Sequence, residues 1–147
     1  YHNSKTAKSR YNLRMFDMIS IYILIAGSYT PFTLILLKDN QGWLLFTVIW
    51  LVAFFGIAWK VFTVGKYNLV TTSLYIFMGG LWLFFYESFV NQIPSDALWW
   101  ITAGCLTYLA GVIFYLLDNK LKYNHFIWHL FVLAASGCHY ISIYFYI

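Results

Sequence analysis

Two histidines one helical turn apart stand near the end of the chain, in the apolar stretch YNHFIWHLFVLAASGCHYISIYFYI from Tyr123 to Ile147. At ~100° and ~1.5 Å per residue, His125 and His129 lie on one helical face, about 6 Å apart along the axis. Two imidazoles at this spacing can bind one zinc ion, as in the helical HExxH arrangement, although HFIWH lacks that motif's glutamate. The alternative is a pair of hydrogen-bonded histidines in a core or at a membrane interface.

A third histidine follows in the same stretch. His139 comes ten residues after His129, which places it about 15 Å further along the helix. That separation is too large for both side chains to bind one ion. We therefore predict that His139 is a hydrogen-bonded histidine inside a helix bundle.

The elements that must position these residues follow from the composition. Hydrophobic residues make up 62% of the chain and charged residues 10%, against about 45–50% and roughly 25% in soluble domains. A membrane helix needs about 20 mostly apolar residues. The sequence therefore predicts an all-α, multi-pass transmembrane helix bundle in the cell membrane, with residues 1–147 forming one transmembrane domain. The predicted spans are 17–37, 43–62, 67–87, 97–117 and 125–147.

The positive charges predict the orientation of the bundle. Short loops rich in lysine and arginine stay cytoplasmic, and eight of the nine cations fall on one predicted side. The Tyr1 end is then cytoplasmic and the Ile147 end is outside. The net charge of +4 reflects this topology, and we predict no nucleic-acid binding. The eight cations are Lys5, Lys8, Arg10, Arg14, Lys60, Lys66, Lys120 and Lys122.

Two further polar residues share the predicted depth of the histidine pair. His125 and His129 lie in the first turns of a span that enters from the cytoplasm, and Asp17 opens the first span from that same side. His2 precedes a polar, basic segment, 3–14, that is typical of a cytoplasmic loop. Ionisable groups at a bilayer are costly and are usually paired, metal-bound or facing a cavity. The alternative role for Asp17 is a helix N-terminal acid favoured by the helix dipole.

Three blocks of the sequence resemble the hemolysin III branch of the progestin and adipoQ receptor family, which includes the adiponectin receptors. They are YHNSKTAKSRYNLRMF, DMISIYILIAGSYTPF and HFIWHLFVLAASGCH. The resemblance implies a seven-helix bundle with a zinc site near its cytoplasmic face. Its ligands would be His2, His125 and His129, and Asp17 would contact the zinc-bound water. The first helix and nearly all of the second would precede Tyr1.

The sequence departs from the family pattern at two places. The family's serine, four residues before the second-helix histidine, would precede Tyr1. Many hemolysin III relatives carry a histidine directly after the aspartate, where this chain has Met18.

The resemblance also implies a chemistry, because adiponectin receptors look like ceramidases. A zinc ion held by three imidazoles keeps one position open and activates water. We therefore expect a zinc-dependent hydrolase that acts on the amide or ester bond of a membrane lipid, with Asp17 as the catalytic carboxylate. The alternatives are a membrane-perturbing cytolysin and a sensor or receptor of membrane state with structural zinc. We also expect Cys105 and Cys138, in different spans, to remain unpaired.

Overall fold

A computed structural model of the chain describes residues 2–37, 40–63, 68–116 and 123–147, with side chains except at 2–8, 10 and 68. These residues form helices and no strand, so the predicted all-α class is confirmed. The elements are α1 His2–Pro31, a π-helical turn Phe32–Leu36, α2 Asn40–Phe62, α3 Asn68–Gly80, a 3-10 turn Leu81–Phe85, α4 Tyr86–Gln92, α5 Ser95–Leu116 and α6 Asn124–Tyr146.

Five helical segments of the described chain are long and apolar enough to cross a membrane, which confirms the predicted number of spans. They are Tyr11–Leu36, Asn40–Phe62, Leu69–Gln92, Ser95–Leu116 and Asn124–Tyr146.

The third span ends later than predicted. Our predicted boundary was the charged Glu87, but the chain stays helical to Gln92 and becomes extended only at Ile93. Ile93 precedes Pro94, and a residue before proline is disfavoured in helical geometry. The backbone constraint from Pro94, rather than the charge of Glu87, therefore sets this end.

The polar segment 3–14 is helical, so the prediction of a loop there was wrong. It contains neither glycine nor proline, and its lysines, arginines, alanine and leucine are good helix formers. The helix α1 therefore begins at His2 and continues without a break into the first span.

The core of the bundle consists of side chains that several helices turn inward. Tyr22, Leu45, Ile49 and Met78 are completely buried, whereas many other large apolar side chains are exposed, including Leu51, Phe54, Phe55 and Trp99. An apolar exterior of this extent suits a lipid environment, in which lipid tails replace water around the helices.

The helices α5 and α6 pack closely through two glycines seven residues apart. A Cβ atom on Gly104 would lie 2.7 Å from His139 Nε2, and one on Gly111 would lie 2.7 Å from Phe131 Cβ and 3.0 Å from the Trp128 ring. Small residues let membrane helices approach in this way. The two glycines therefore set how α6, which carries the histidine pair, seats on α5.

The third span contains a break at mid-length, where α3 gives way to the 3-10 turn after Gly80. The Tyr29 hydroxyl of α1 donates to the Gly79 carbonyl at 2.9 Å and accepts a hydrogen bond from the Trp82 N–H at 3.4 Å. Irregular backbone at membrane depth persists only where protein satisfies its polar groups. One tyrosine thus supports both sides of this break.

The orientation of the bundle is testable with a single reporter cysteine. We expect Thr63→Cys, at the end of α2, to react with a membrane-impermeant maleimide only after the cytoplasmic face is exposed, because Lys60 and Lys66 flank it. The measurement is labelling of intact cells against inverted vesicles. The background is Cys105→Ser with Cys138→Ala, since both cysteines are free thiols. Labelling of Thr63→Cys in intact cells would show that the orientation of the bundle is the opposite of the predicted one.

Candidate metal centre

Three side chains predicted to share one depth meet where α1 faces the first turns of α6. His125 Nε2 lies 3.1 Å from His129 Nε2, and the Asp17 carboxylate oxygens lie 3.4 Å from His125 Nε2 and 3.7 Å from His129 Nε2. One donor atom from each residue falls within 4.8 Å of the others. Asp17, His125 and His129, which the sequence placed at one depth, therefore lie together in the structure.

The sequence of α6 explains where the two imidazoles point. Its buried face carries Asn124, Trp128 and further residues at helical spacing. Each histidine follows one of these buried residues by one position, a rotation of about 100° around the helix. His125 and His129 therefore stand on the flank of the buried face, and that flank is turned toward α1.

The separations suit a small metal ion. Ligands placed tetrahedrally about 2.1 Å from zinc lie roughly 3.4 Å from one another. The two Nε2 atoms lie 3.1 Å apart, and the two oxygens of Asp17 lie 3.4 Å from His125 Nε2 and 3.7 Å from His129 Nε2, close to that value. Imidazole nitrogen and carboxylate oxygen are both common zinc ligands. The geometry and chemistry of this donor set fit a zinc ion.

The cluster is partly open. The side chain of Asp17 is 23% exposed, and those of His125 and His129 are 41% and 45% exposed. A closed structural zinc site is surrounded by four protein ligands, whereas a catalytic site keeps one position accessible. The described residues offer two imidazoles, one carboxylate and a route for a small molecule to reach them.

The remaining sequence-predicted histidines have different outcomes. His139 lies outside the cluster, as predicted: it is buried against Gly104 and its ring stacks on Tyr108 at a centroid distance of 5.9 Å. The side chain of His2 falls outside the described residues, so its role as a ligand stays a prediction.

Sequence reasoning missed two buried polar residues near this end of the bundle. The Tyr75 hydroxyl of α3 donates to the Met18 carbonyl at 2.7 Å, directly after Asp17. Lys60, predicted in a connection, is completely buried in the last turn of α2, with its ammonium group 3.5 Å from Thr71 Oγ1. A cation there complements the partial negative charge at a helix C-terminus. For Tyr75, the feature of the sequence that could have indicated this role is a hydroxyl group within an otherwise apolar span.

A cavity of about 350 Å³ lies inside the bundle between α1, α3, α5 and α6, and its lining does not include Asp17, His125 or His129. Its lining is mostly apolar and includes Ile21, one turn after Asp17, and Trp128, the residue before His129. The lining continues past Val112 to His139. Ligand cavities typically have volumes of ~300–1,000 Å³ and apolar walls with a few polar groups.

Five apolar helices and an aspartate–histidine–histidine cluster at one end of the bundle define a multi-pass integral membrane protein with a candidate metal centre. The family model described as "Haemolysin-III related" matches residues 1–140. The chain belongs to this family, the hemolysin III branch of the progestin and adipoQ receptors.

Three curated relatives support this placement. The chain is 40% identical over 131 residues to Hemolysin-3 of Bacillus cereus, covering 89% of the chain and 59% of that protein. It is 34% identical over 145 residues to the Hemolysin-3 homolog of Bacillus subtilis (strain 168), covering 99% and 68%. It is 33% identical over 137 residues to the monocyte to macrophage differentiation factor of Homo sapiens, covering 90% and 55%. No solved structure matches the chain.

Proposed function

We propose that the protein is a zinc-dependent hydrolase that acts on the amide or ester bond of a membrane lipid. The observation that carries the proposal is the convergence of Asp17, His125 and His129 from two helices far apart in sequence. His125 and His129 are ligands, and His2 is proposed as a third. Because the chain spans 59% of the length of Hemolysin-3 from Bacillus cereus, the proposal concerns the part of the site that this chain contributes.

The proposed chemistry assigns a distinct task to each side chain. Zinc, when bound, supplies a Lewis acid that polarises a carbonyl and activates water. The two imidazoles, whose Nε2 atoms lie 3.1 Å apart, would hold that ion. The Asp17 carboxylate, 3.4 Å from His125 Nε2, would orient a water molecule and take its proton as the water oxygen bonds to the carbonyl carbon. The C–N or C–O bond would then break, and Asp17 would pass the proton to the leaving amine or alcohol.

The adjoining cavity supports a lipid as the substrate. Its apolar wall includes Ile21, one turn after Asp17, and Trp128, the residue before His129, and continues into the bundle. An acyl chain in this space would bring its carbonyl carbon to the end nearest Asp17. The apolar lining would also keep bulk water away from the acyl chain of the lipid. The cluster would remain accessible to one water molecule.

The third ligand requires a change in the path of α1. Fifteen positions separate His2 from Asp17, which corresponds to ~22 Å along a continuous helix. We propose that, in the zinc-bound protein, the polar segment before Asp17 leaves the helix so that His2 reaches the cluster. The side chains of Tyr11, Asn12 and Leu13 in this segment are exposed.

Asp17→Asn tests the hydrolase. The amide keeps the size of the side chain but cannot accept a proton, so we expect hydrolysis per bound zinc to fall by about 100-fold, the lower end of general acid–base effects. The measurement is release of fatty acid from labelled N-acyl and ester lipids in vesicles that contain the purified protein. Zinc content, measured by mass spectrometry, provides the normalisation. Equal turnover by Asp17→Asn and wild type would contradict the role of Asp17.

A second candidate function rests on the name Hemolysin-3 carried by two relatives. A membrane-perturbing protein would release a dye trapped in vesicles without cleaving lipid. We expect dye retention together with lipid cleavage. Dye release that persists in His129→Ala, without cleavage in wild type, would favour the cytolysin. Bound zinc with neither activity, together with unfolding on zinc removal, would favour a sensor with structural zinc.

A further inference from the structure

The turn of α1 that carries Asp17 is held by a side chain from another span. Tyr75 of α3 is 5% exposed, and its hydroxyl donates to the Met18 carbonyl at 2.7 Å across 57 positions of sequence. The Met18 carbonyl lies one peptide unit beyond the Asp17 backbone. This hydrogen bond thus fixes the backbone that aims the Asp17 carboxylate.

The same turn is also restrained by packing. The ring of Tyr22, which is completely buried, lies 4.6 Å from the Tyr75 ring, centroid to centroid. On its other side Tyr22 fills the space above Gly56 of α2, where a Cβ atom would lie 2.4 Å from the ring. Rings from α1 and α3 and a glycine from α2 therefore leave α1 little freedom to rotate at this level.

Rotation of α1 is the motion that would disrupt the cluster. A side-chain tip lies about 5–6 Å from a helix axis, so turning α1 by ~10° moves the Asp17 carboxylate by roughly 1 Å. The distances from Asp17 to the two imidazoles are 3.4 and 3.7 Å. A displacement of about 1 Å would change these distances by more than a quarter of their length and move the carboxylate from its place beside the two imidazoles.

We propose that Tyr75 is a positioning residue for the metal centre, acting through the Met18 carbonyl on the orientation of Asp17. The inference rests on the proposed zinc site and deepens it. Residues that hold metal-binding groups in place commonly change metal affinity by ~10–100-fold when mutated. The hydroxyl of Tyr75 adds a direct hold on the backbone of α1 to the packing of its ring, because only the hydroxyl reaches that backbone.

Tyr75→Phe keeps the ring and removes the hydroxyl. We expect its zinc affinity, measured by competition with a chelator on the purified protein in lipid nanodiscs, to be about 10-fold weaker than that of wild type. We also expect an altered visible absorption spectrum with cobalt in place of zinc, since the spectrum reports ligand geometry. The thermal unfolding temperature is recorded for each protein.

Tyr29→Phe is the matched control. Tyr29 also joins α1 to α3 by a tyrosine–carbonyl hydrogen bond, of 2.9 Å, but it lies 12 positions beyond Asp17, ~18 Å along the axis. We expect Tyr29→Phe to lose at least as much thermal stability as Tyr75→Phe while keeping zinc affinity within about twofold. This comparison separates positioning of the site from general support of the bundle.

Two different outcomes would overturn the two proposals. If wild type binds zinc and Tyr75→Phe binds it equally well, or if both tyrosine variants lose affinity in proportion to stability, the positioning role is wrong and the zinc site stands. If wild type itself binds no zinc, the proposed function fails and the role of Tyr75 fails with it. Should Tyr75→Phe not fold, Gly56→Ala disturbs the same turn through Tyr22 and is expected to weaken zinc binding likewise.

Discussion

His125→Ala and His129→Ala are each expected to weaken zinc binding by at least about 100-fold, the upper end of what residues that only support the ligands cost. Each removes a ligand from a site whose other described members are one imidazole and one carboxylate. The measurement is zinc affinity by chelator competition on the purified protein. The free energy of zinc binding at such a site comes from only a few bonds between the metal and its ligands. Removal of one ligand should therefore weaken binding more than a substitution that only displaces a ligand.

His139→Ala is the matched control for these two variants. It removes an imidazole from the same helix, but His139 is buried against Gly104 and lies outside the cluster. We expect His139→Ala to lower stability and to leave zinc affinity within about twofold.

His2→Ala tests the proposed third ligand, and its zinc affinity should fall as that of His129→Ala does. Wild-type affinity in both α6 ligand variants, His125→Ala and His129→Ala, would contradict the metal centre.

Gly111→Ala is expected to lower the free energy of unfolding by about 1–3 kcal/mol, the usual cost of overpacking. The added methyl group would lie 2.7 Å from Phe131 Cβ and 3.0 Å from the Trp128 ring. Trp128 is 2% exposed and lies next to His129 in sequence. We therefore also expect weaker zinc binding, since α6 must shift on α5 to accept the methyl group. The measurement is thermal or denaturant unfolding in detergent, with zinc affinity beside it.

Gly137→Ala provides the control, because the position on α6 where its Cβ would stand has no neighbouring atom within 4 Å. Alanine is favoured over glycine in a helix by up to ~1 kcal/mol, so this variant should be as stable as wild type or slightly more stable. If Gly111→Ala matches Gly137→Ala in stability, the close packing of α5 on α6 does not hold.

The features that the sequence predicted correctly depend on local properties. A run of about 20 apolar residues identifies a span wherever it occurs, and one-turn spacing places His125 and His129 on one face without reference to any other helix. The convergence of Asp17 needed one further step, the sidedness of the spans inferred from lysine and arginine. These signals are enough to place three groups at one depth.

The features that the sequence did not predict depend on contacts between helices or on a balance between local states. Segment 3–14 is polar enough for a loop, yet it has no glycine or proline and continues the helix α1 in this structure. The hydrogen bond from Tyr75 to the Met18 carbonyl joins α3 to α1, and no spacing within either helix indicates it. The break after Gly80 likewise depends on Tyr29, which lies two spans away in sequence.

The two hydrogen bonds made by the Tyr29 hydroxyl limit which amino acids the chain can accept at that position. The site requires one atom that both donates to the Gly79 carbonyl and accepts from the Trp82 N–H. Phenylalanine fills the same volume but offers neither function, and serine and threonine have hydroxyls too close to their own backbone to span the gap between helices. In a saturation-mutagenesis screen, position 29 should therefore tolerate fewer amino acids than the apolar positions around it in the same span. Its tolerance would reflect hydrogen-bonding capacity and reach rather than hydrophobicity.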